Sequence, residues 1–248
     1  MKVIGILWLR QVKRYYRSKA RMIGSLGQPI LFLLALGFGF GPIFQKAGGG
    51  NYLQFIAPGI IAMSILFTST FMGIEVIWDR QFGFLKETLV APVPRWKIML
   101  GRTLGGATVA VIQGLIVLLI SMIFGLHIIN WATLPIALVF MFLIAVLFTG
   151  LGTMIACLID DMHGFQLIVN FLIMPLFFLS GALFPLNGLP SIITIIARLN
   201  PLSYGVDGLR GILIGAGYFG AVTDFAVLAV VSMIFVFIGA YLFSKIEA

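Results

Sequence analysis

Long apolar runs dominate this sequence and limit the folds that are open to it. A helix needs about 20 apolar residues to cross the hydrocarbon core of a bilayer, and we predict six such spans, over residues 22–44, 53–77, 100–126, 134–159, 165–184 and 221–243. Of the 248 residues, 61% are hydrophobic and 10% are charged, which is too much apolar surface for a water-soluble fold to bury. The sequence therefore predicts an all-α polytopic membrane protein, with a single transmembrane domain over residues 1–248.

Lysine and arginine cluster at the ends of these apolar runs. Thirteen of them fall in the N-terminal tail, the connection between spans two and three and the C-terminal tail, while Lys46, Arg198 and Arg210 fall on the other side. Because cytoplasmic loops carry the excess of these residues, we expect both termini in the cytoplasm of a cell (plasma or inner) membrane. The net charge of +8 is then explained by topology, and nucleic-acid binding is not expected.

The N-terminal 20 residues have the pattern of an amphipathic helix. One helical face carries Ile4, Trp8, Val12 and Tyr15, and the opposite face carries Arg10, Lys13, Arg14 and Arg17. Such a helix lies in the plane of the membrane surface, with its rings among the acyl chains and its cations toward lipid headgroups. It serves either as a topology anchor alone or as an elbow that also contacts a cytoplasmic partner. The candidate residues are Trp8, Arg10, Arg14 and Tyr15.

Residues 189–215 are too apolar for a solvated loop and too interrupted for a span. Asparagine caps helices whose first residue is proline, so Asn200 and Pro201 indicate the end of one short helix and the start of another. We expect two re-entrant helices that dip into the outer leaflet. Asp207 and Arg210 lie three residues apart on the second helix, which favours a helix-surface ion pair over a substrate contact.

No arrangement of residues in the sequence indicates catalysis. The two histidines, His127 and His163, lack cysteine or glutamate partners at metal-ligand spacing. No phosphate-binding G-x-x-x-x-G-K-[ST] motif occurs, so this chain is not expected to bind ATP in that way. We expect neither a metal nor a cofactor in this chain. Glycines four residues apart, as at Gly101 and Gly105, permit close helix packing, but such spacings arise easily among 29 glycines.

The stretch 79–102 holds seven of the 24 charged residues and separates two predicted spans. On a helix over residues 79–91, Phe82, Leu85 and Leu89 share one face, while Phe84 and Glu87 point away from it with Thr88 beside Phe84. Pro92 and Pro94 would end that helix. An exposed ring at Phe84 either docks into a partner or lies back on lipid.

Two segments of this sequence resemble a known family. "KETLVAPVPRWKIMLGR" is similar to the connection after span two in the membrane (permease) subunits of type-2 ATP-binding-cassette (ABC) exporters. "FLSGALFPLNGLPSIITIIARLNPLSYGVDGLRGIL" resembles the family's second hallmark, near span five. Within the family, the chain resembles the drug-resistance and nodulation-type exporters more than the polysaccharide branch.

The resemblance implies a homodimer that binds two copies of a separate ATPase, which holds the ATP and Mg²⁺. Segment 1–20 would be a connecting helix, and segment 79–91 would be the coupling helix that enters the ATPase cleft. Its candidate residues are Arg80, Phe84, Lys86, Glu87 and Thr88. The outer gate would include Asn200, Pro201, Tyr204, Asp207 and Arg210. The possible substrate path would be lined by Phe32, Phe38, Phe171, Phe177 and Phe178.

We therefore expect a permease subunit that moves hydrophobic or amphipathic, drug-like or lipid-like compounds out of the cell. The predicted spans contain more phenylalanine than tyrosine or tryptophan and little charge, which favours such cargo. One alternative is a permease for polysaccharide or teichoic-acid export. More distant alternatives are an intramembrane acyl- or phosphotransferase and a stand-alone channel.

Overall fold

The computed structural model describes residues 2–46, 50–84 and 93–246, apart from the side chains of Lys2 and Arg21. Regular structure within these ranges is entirely helical. The α-helices are α1 (Lys2–Arg17), α2 (Lys19–Lys46), α3 (Tyr52–Phe71), α4 (Ile74–Gln81), α5 (Arg95–Ile123), α6 (Leu134–Leu158), α7 (Met162–Phe178), α8 (Ser191–Leu199), α9 (Pro201–Ile214) and α10 (Ala221–Ser244). A 3-10 turn, Trp131–Thr133, precedes α6.

Five helical stretches in the described ranges are long and apolar enough to cross a bilayer. They are Met22–Lys46, Tyr52–Gln81, Arg95–Ile123, Trp131–Leu158 and Ala221–Ser244. These stretches correspond to predicted spans one, two, three, four and six. The structure thus confirms a polytopic, all-helical membrane protein.

The helix at predicted span five is shorter than the sequence indicates. We predicted residues 165–184, but α7 covers only the 17 residues Met162–Phe178. It contains Pro175, which has no N–H to donate, and a turn follows in which Gly181 adopts a left-handed φ of 72°. The apolar run therefore continues past the end of the helix, which hydropathy alone does not reveal.

The second span bends where α3 passes into α4, at Met72 and Gly73. The backbones of Gly73 and Gly152 on α6 approach so closely that a Cβ atom on Gly73 would overlap the Gly152 carbonyl. A Cβ on Gly152 would in turn overlap the carbonyl of Thr70. Small residues on both sides allow this contact, as is common between membrane helices. The contact fixes the direction in which α4 leaves the bundle.

The core lies around α3, which packs against α2, α5, α6 and α9. The largest fully buried side chains include Phe140, Phe148, Phe165, Phe177 and Phe243. The helices α2 and α10 lie at the periphery, and their large apolar side chains, such as Phe38 and Phe237, face outward. Outward apolar side chains on spanning helices are suited to lipid or to a second subunit.

The bundle has two ends that differ in chemistry. We call the end that carries α1, the end of α4 and the start of α5 the basic end, because the arginines and lysines concentrate there. Arg95 at this end donates hydrogen bonds to the carbonyls of Ser244 (2.6 Å) and Ile246 (2.9 Å), so α10 ends there too. We call the opposite end, which carries α8 and α9, the hairpin end.

Candidate functional site

Two buried acids on α4 form the centre of the charged site at the basic end. Glu75 and Asp79 lie one helical turn apart on the same face, and each is only 4% exposed. A carboxylate in such a position is costly unless a cation or hydrogen-bond donors compensate for it. Cations from two other helices supply that compensation.

The first cation comes from α5. The guanidinium of Arg102 donates a hydrogen bond to the carboxylate of Asp79 and is itself 6% exposed. It also lies 6.0 Å from the ring centroid of Phe243, near the end of α10. The pair therefore joins α4 to α5 in a region from which water is excluded.

The other cations come from α1. Arg10 lies 3.7 Å from Asp79, and Arg14 lies 3.6 Å from Glu75. We predicted that these cations face lipid headgroups, and the structure corrects this: both reach the acids of α4. Glu75 and Asp79 are four residues apart, and so are Arg10 and Arg14. One acid of α4 therefore pairs with one arginine of α1 at each of two successive helical turns. Opposite charges at equal spacing were a signal for this contact that sequence reasoning missed.

The helix α1 lies alongside α5 over several turns. Ile4 and Leu7 contact α5 at Gly101, and Gln11 contacts it at Gly105. Farther along, Trp8 donates a hydrogen bond to Thr108 (2.9 Å), and Tyr15 donates one to Gln113. We predicted a helix in the plane of the membrane surface. The structure differs because the apolar stripe of α1 packs along a membrane-spanning helix.

Two glycines permit that close packing. A Cβ at Gly101 would lie 2.9 Å from Leu7 Cβ, and one at Gly105 would lie 2.7 Å from Gln11 Cβ. Both distances are shorter than real Cβ atoms tolerate, so the glycine pair is required for this contact. The four-residue glycine spacing, a weak signal in the sequence, marks the line along which α1 contacts α5.

Arg80, the last cation of α4, binds at the end of α6. Its guanidinium pairs with Asp160 and also donates a hydrogen bond to the carbonyl of Ala156 (3.4 Å). Neighbouring Asp161 caps α7 by accepting a hydrogen bond from the backbone N–H of Gly164 (2.6 Å). That hydrogen bond holds the pKa of the Asp161 carboxyl below its ordinary value. The end of α4 is thereby fixed to the connection between α6 and α7.

The predicted coupling helix over residues 79–91 is interrupted. Asp79 and Arg80 belong to α4, the chain turns at Phe82, and Gly83 adopts a left-handed φ of 78°. Helical conformation resumes at Phe84, whose side chain is half-exposed. The predicted helix is therefore not continuous from Asp79 to Phe84. Lys86, Glu87 and Thr88 lie outside the described residues.

At the hairpin end, Asn200 connects two helices as predicted. It ends α8, and its side chain accepts a hydrogen bond from the N–H of Leu202 (3.0 Å), with Pro201 as the first residue of α9. Its amide also donates a hydrogen bond to the carbonyl of Leu176 on α7 (2.6 Å). Tyr204 donates a hydrogen bond to the carbonyl of Arg198 (2.8 Å), which holds α8 against α9. The break at residues 200 and 201 is confirmed.

The predicted ion pair between Asp207 and Arg210 is wrong. Both side chains are buried, and Asp207 accepts hydrogen bonds from the backbone N–H groups of Tyr218 (2.7 Å) and Phe219 (2.7 Å). Arg210 donates hydrogen bonds to the carbonyls of Gly181 (2.9 Å), Ala182 (3.3 Å) and Phe55 (3.3 Å). Its guanidinium also lies 4.0 Å from the ring centroid of Phe55. These residues tie α9 to three other segments, and backbone groups of those segments satisfy their hydrogen-bonding capacity.

The five candidate path phenylalanines do not form one surface. The rings of Phe32 and Phe177 pack edge to face, with their centroids 6.4 Å apart, and the ring centroid of Phe178 lies 5.5 Å from that of Phe177. Phe177 is buried in the core, so its ring does not line a path in this conformation. Phe38 and Phe171 lie apart from this group and are exposed on the surface. Of these five residues, Phe32, Phe177 and Phe178 therefore lie together, where α2 contacts the end of α7.

Comparison with known proteins agrees with this architecture. Residues 2–214 match the model of the family described as ABC-2 type transporter. The chain is 32% identical over 210 residues to "Putative transport permease ycf38" of Cyanophora paradoxa, covering 80% of this chain and 71% of that protein. It is 30% identical over 215 residues to "Nodulation protein J" of Rhizobium leguminosarum bv. trifolii, covering 84% and 81%.

A bacterial inner-membrane protein is similar over a still longer region. "Inner membrane transport permease YadH" of Escherichia coli (strain K12) is 29% identical over 235 residues, covering 90% of this chain and 88% of that protein. The family match covers more than half of the chain and includes the paired acids and arginines of the charged site, on α1, α4 and α5. The chain is therefore a multi-pass membrane protein that belongs to the family of ABC-2 type transporters.

Proposed function

We propose that this transport permease subunit is the membrane half of an ATP-driven exporter. A separate ATPase subunit, present in two copies, hydrolyses ATP with Mg²⁺, and two copies of this chain form the pathway through the membrane. The basic end, with both termini, faces the cytoplasm, as the excess of lysine and arginine supports. The cargo is a hydrophobic or amphipathic compound that is drug-like or lipid-like.

The observation that carries this proposal is the linkage of α4 to its neighbours. Through Asp79 and Arg102 it is joined to α5, through Glu75 and Arg14 to α1, and through Arg80 and Asp160 to the connection before α7. The chain runs from α4 through Gly83 into residues 84–91, the remainder of the segment that we propose to contact the ATPase. A displacement of that segment would therefore reach three helices at once. Such a rigid linkage lets a partner that binds two states differently shift the balance between them.

The chemistry of the bundle supports the cargo class. The acids Glu75, Asp79 and Asp207 are all engaged by cations or backbone donors. In the described spans, Asp224 at the start of α10 is the one acid beside which no cation is seen, so few charges remain to bind a charged solute. Apolar side chains on α2 and α7 face outward, where lipid-soluble compounds arrive.

The test is reconstitution of the chain with its ATPase in liposomes. Phe84→Ala and Glu87→Ala should leave expression and dimerisation intact, while ATP hydrolysis continues without cargo movement. Phe237→Ala, which removes an exposed ring on α10 outside the predicted coupling segment, is the matched control and should transport normally. Unchanged transport in both test variants would remove the coupling role from this segment. Stimulation of ATP hydrolysis by a polysaccharide carrier, and not by alkyl compounds, would assign the permease to polymer export instead.

A further inference from the structure

A cavity of about 250 Å³ lies between α1, α2 and α3 in the half of the bundle nearer the basic end. Its walls carry hydroxyl and amide groups beside apolar rings, and none of the lining residues is an acid, lysine or arginine. The lining residues are Tyr15, Gly24, Ser25, Gln28, Pro29, Met63, Ser64, Phe67, Thr68 and Phe71. Pockets for drug-sized ligands span about 300–1,000 Å³, so this cavity suits one small chemical group.

Two polar side chains in the wall make no hydrogen bond to the part of the protein that the structure describes. They are the carboxamide of Gln28, which is exposed, and the hydroxyl of Thr68, which is half-buried, and both residues belong to spanning stretches. Polar groups inside a membrane are costly unless they are paired or face a polar cavity. Gln28 and Thr68 are therefore available to hydrogen-bond an occupant of this cavity.

Two serines extend the polar surface as acceptors. Ser25 donates its hydroxyl proton to the carbonyl of Met22 (3.0 Å), and Ser64 donates its own to the carbonyl of Ile61 (2.9 Å). Each hydroxyl oxygen then keeps lone pairs that accept hydrogen bonds. The wall thus offers donors and acceptors together, a combination that matches hydroxyl or amide groups.

Behind the cavity, Tyr15 connects it to α5. Its hydroxyl donates to the side-chain oxygen of Gln113, and the side-chain nitrogen of Gln113 is fully buried without a hydrogen-bond partner in the described structure. The tyrosine ring itself packs near Met72 and Val109. An additional buried donor therefore lies directly behind the cavity wall.

A neighbouring cavity nearer the basic end is lined by charged residues. That cavity, of about 520 Å³, is lined by Arg14, Ser18, Phe71, Ile74, Glu75 and Trp78. Phe71 lines both cavities and so lies between them. In the charged cavity Arg14 and Glu75 already pair with each other at 3.6 Å. The uncharged cavity is the one whose polar groups are left to a ligand.

We propose that the cavity bounded by Tyr15, Gln28 and Thr68 binds the uncharged, hydroxyl- or amide-bearing head of an amphipathic cargo. This assignment rests on the proposed export function and narrows its substrate class. Gly24 and Gln28 are also exposed on the outer side of α2, so the apolar tail of such a molecule would remain among the lipid chains. A glucosyl head, which carries several hydroxyl groups, has this chemistry.

Photolabelling of the purified chain in lipid nanodiscs tests the site without any ATPase. Two probes carry the same alkyl chain with a diazirine near the head, and they differ in having a glucosyl or a trimethylammonium head. We expect the glucosyl probe to label Met63, Phe67 or Phe71 preferentially. Gln28→Leu and Thr68→Val should each lower that labelling about fivefold, the effect of one hydrogen bond. Thr153→Val, which alters a buried hydroxyl that bonds within α6, should leave labelling unchanged.

A matched pair of glycines tests occupancy by volume. An added Cβ at Gly24 or at Gly27 has no neighbour within 4 Å, but only Gly24 lines the cavity. Gly24→Leu should therefore abolish glucosyl labelling, whereas Gly27→Leu should preserve it. Equal labelling by the two heads, or labelling that survives Gly24→Leu, would overturn the proposal.

Addition of the ATPase and ATP separates cargo from resident lipid. Loss of label from the cavity during ATP hydrolysis supports a cargo site. Label that persists while another compound is exported identifies a structural lipid and overturns the cargo assignment. Failure of the complex to export any compound, with labelling intact, would instead reject the proposed function and leave the head-binding site standing.

Discussion

The carboxylate of Asp79 and the guanidinium of Arg102 form a buried ion pair beneath the N-terminal helix. Each side chain is almost fully shielded from solvent, and Arg10 approaches the same carboxylate at 3.7 Å from the exposed side. One acid on α4 therefore holds cations from two other helices. This arrangement makes α4 the helix that connects α1 with α5.

Removal of one partner of this pair should destabilise the protein strongly. Arg102→Met leaves a buried carboxylate without its main cation, and such losses cost about 3–5 kcal/mol. The double variant Asp79→Leu with Arg102→Met should recover much of this loss, because no uncompensated charge remains. Thermal unfolding in detergent checks both. Arg10→Ala is the control and should cost less than about 1 kcal/mol, since that arginine is half-exposed. Equal losses in the single and double variants would contradict this account.

Enlargement of Gly105 should separate α1 from α5. A leucine there would clash with Gln11, whose Cβ lies 2.7 Å from the position of the new Cβ. In a Cys157→Ala background, cysteines placed at residues 8 and 108 should cross-link readily, and Gly105→Leu should reduce the cross-linking. Gly39→Leu is the matched control, because an added Cβ there meets nothing within 4 Å. Unchanged cross-linking in the Gly105 variant would mean that α1 does not depend on this contact.

Joining α8 to α9 should impair export. Asn200→Leu with Pro201→Ala removes the cap, the bond to the Leu176 carbonyl and the residue that favours a helix start. The two short helices would then continue into one another and the hairpin would lose its bend. Transport in liposomes is the measurement, and normal export by the double variant would argue against a gate at this hairpin.

Arg210 should be more sensitive to substitution than its neighbour Arg198. Its guanidinium bonds three carbonyls and stacks on Phe55, so Arg210→Lys should destabilise the fold even though charge is kept. The expected loss is about 2 kcal/mol, as for charged groups whose buried partners lose their donors. Arg198→Lys, at the exposed end of α8, should be neutral in the same unfolding measurement. Equal effects at both positions would contradict the conclusion that Arg210 holds α9 to the neighbouring segments.

The sequence predicts five of the six spans and the break at residues 200 and 201 because those features depend on local chemistry. The length of an apolar run sets whether a helix can cross a bilayer, and the asparagine and proline at residues 200 and 201 determine the local backbone. Both expectations agree with the structure.

The packing partners could not be predicted in the same way. The apolar stripe through Ile4 and Trp8 is equally suited to lipid or to α5, and only the fold brings Gly101 opposite it. Likewise, Asp207 and Arg210 have the spacing of an ion pair, yet each faces backbone groups of segments distant in sequence. The interruption at Gly83 was also missed, because glycine permits a left-handed turn without requiring one.

The most direct test of the central claim is cargo movement by the purified chain, with and without its ATPase, in sealed liposomes. The account predicts movement toward the side opposite the basic end only when the ATPase, ATP and Mg²⁺ are all present. It also predicts that Glu87→Ala abolishes this movement while hydrolysis continues. Passage of the cargo through liposomes that contain this chain alone, without ATP, would identify a stand-alone channel and contradict the account.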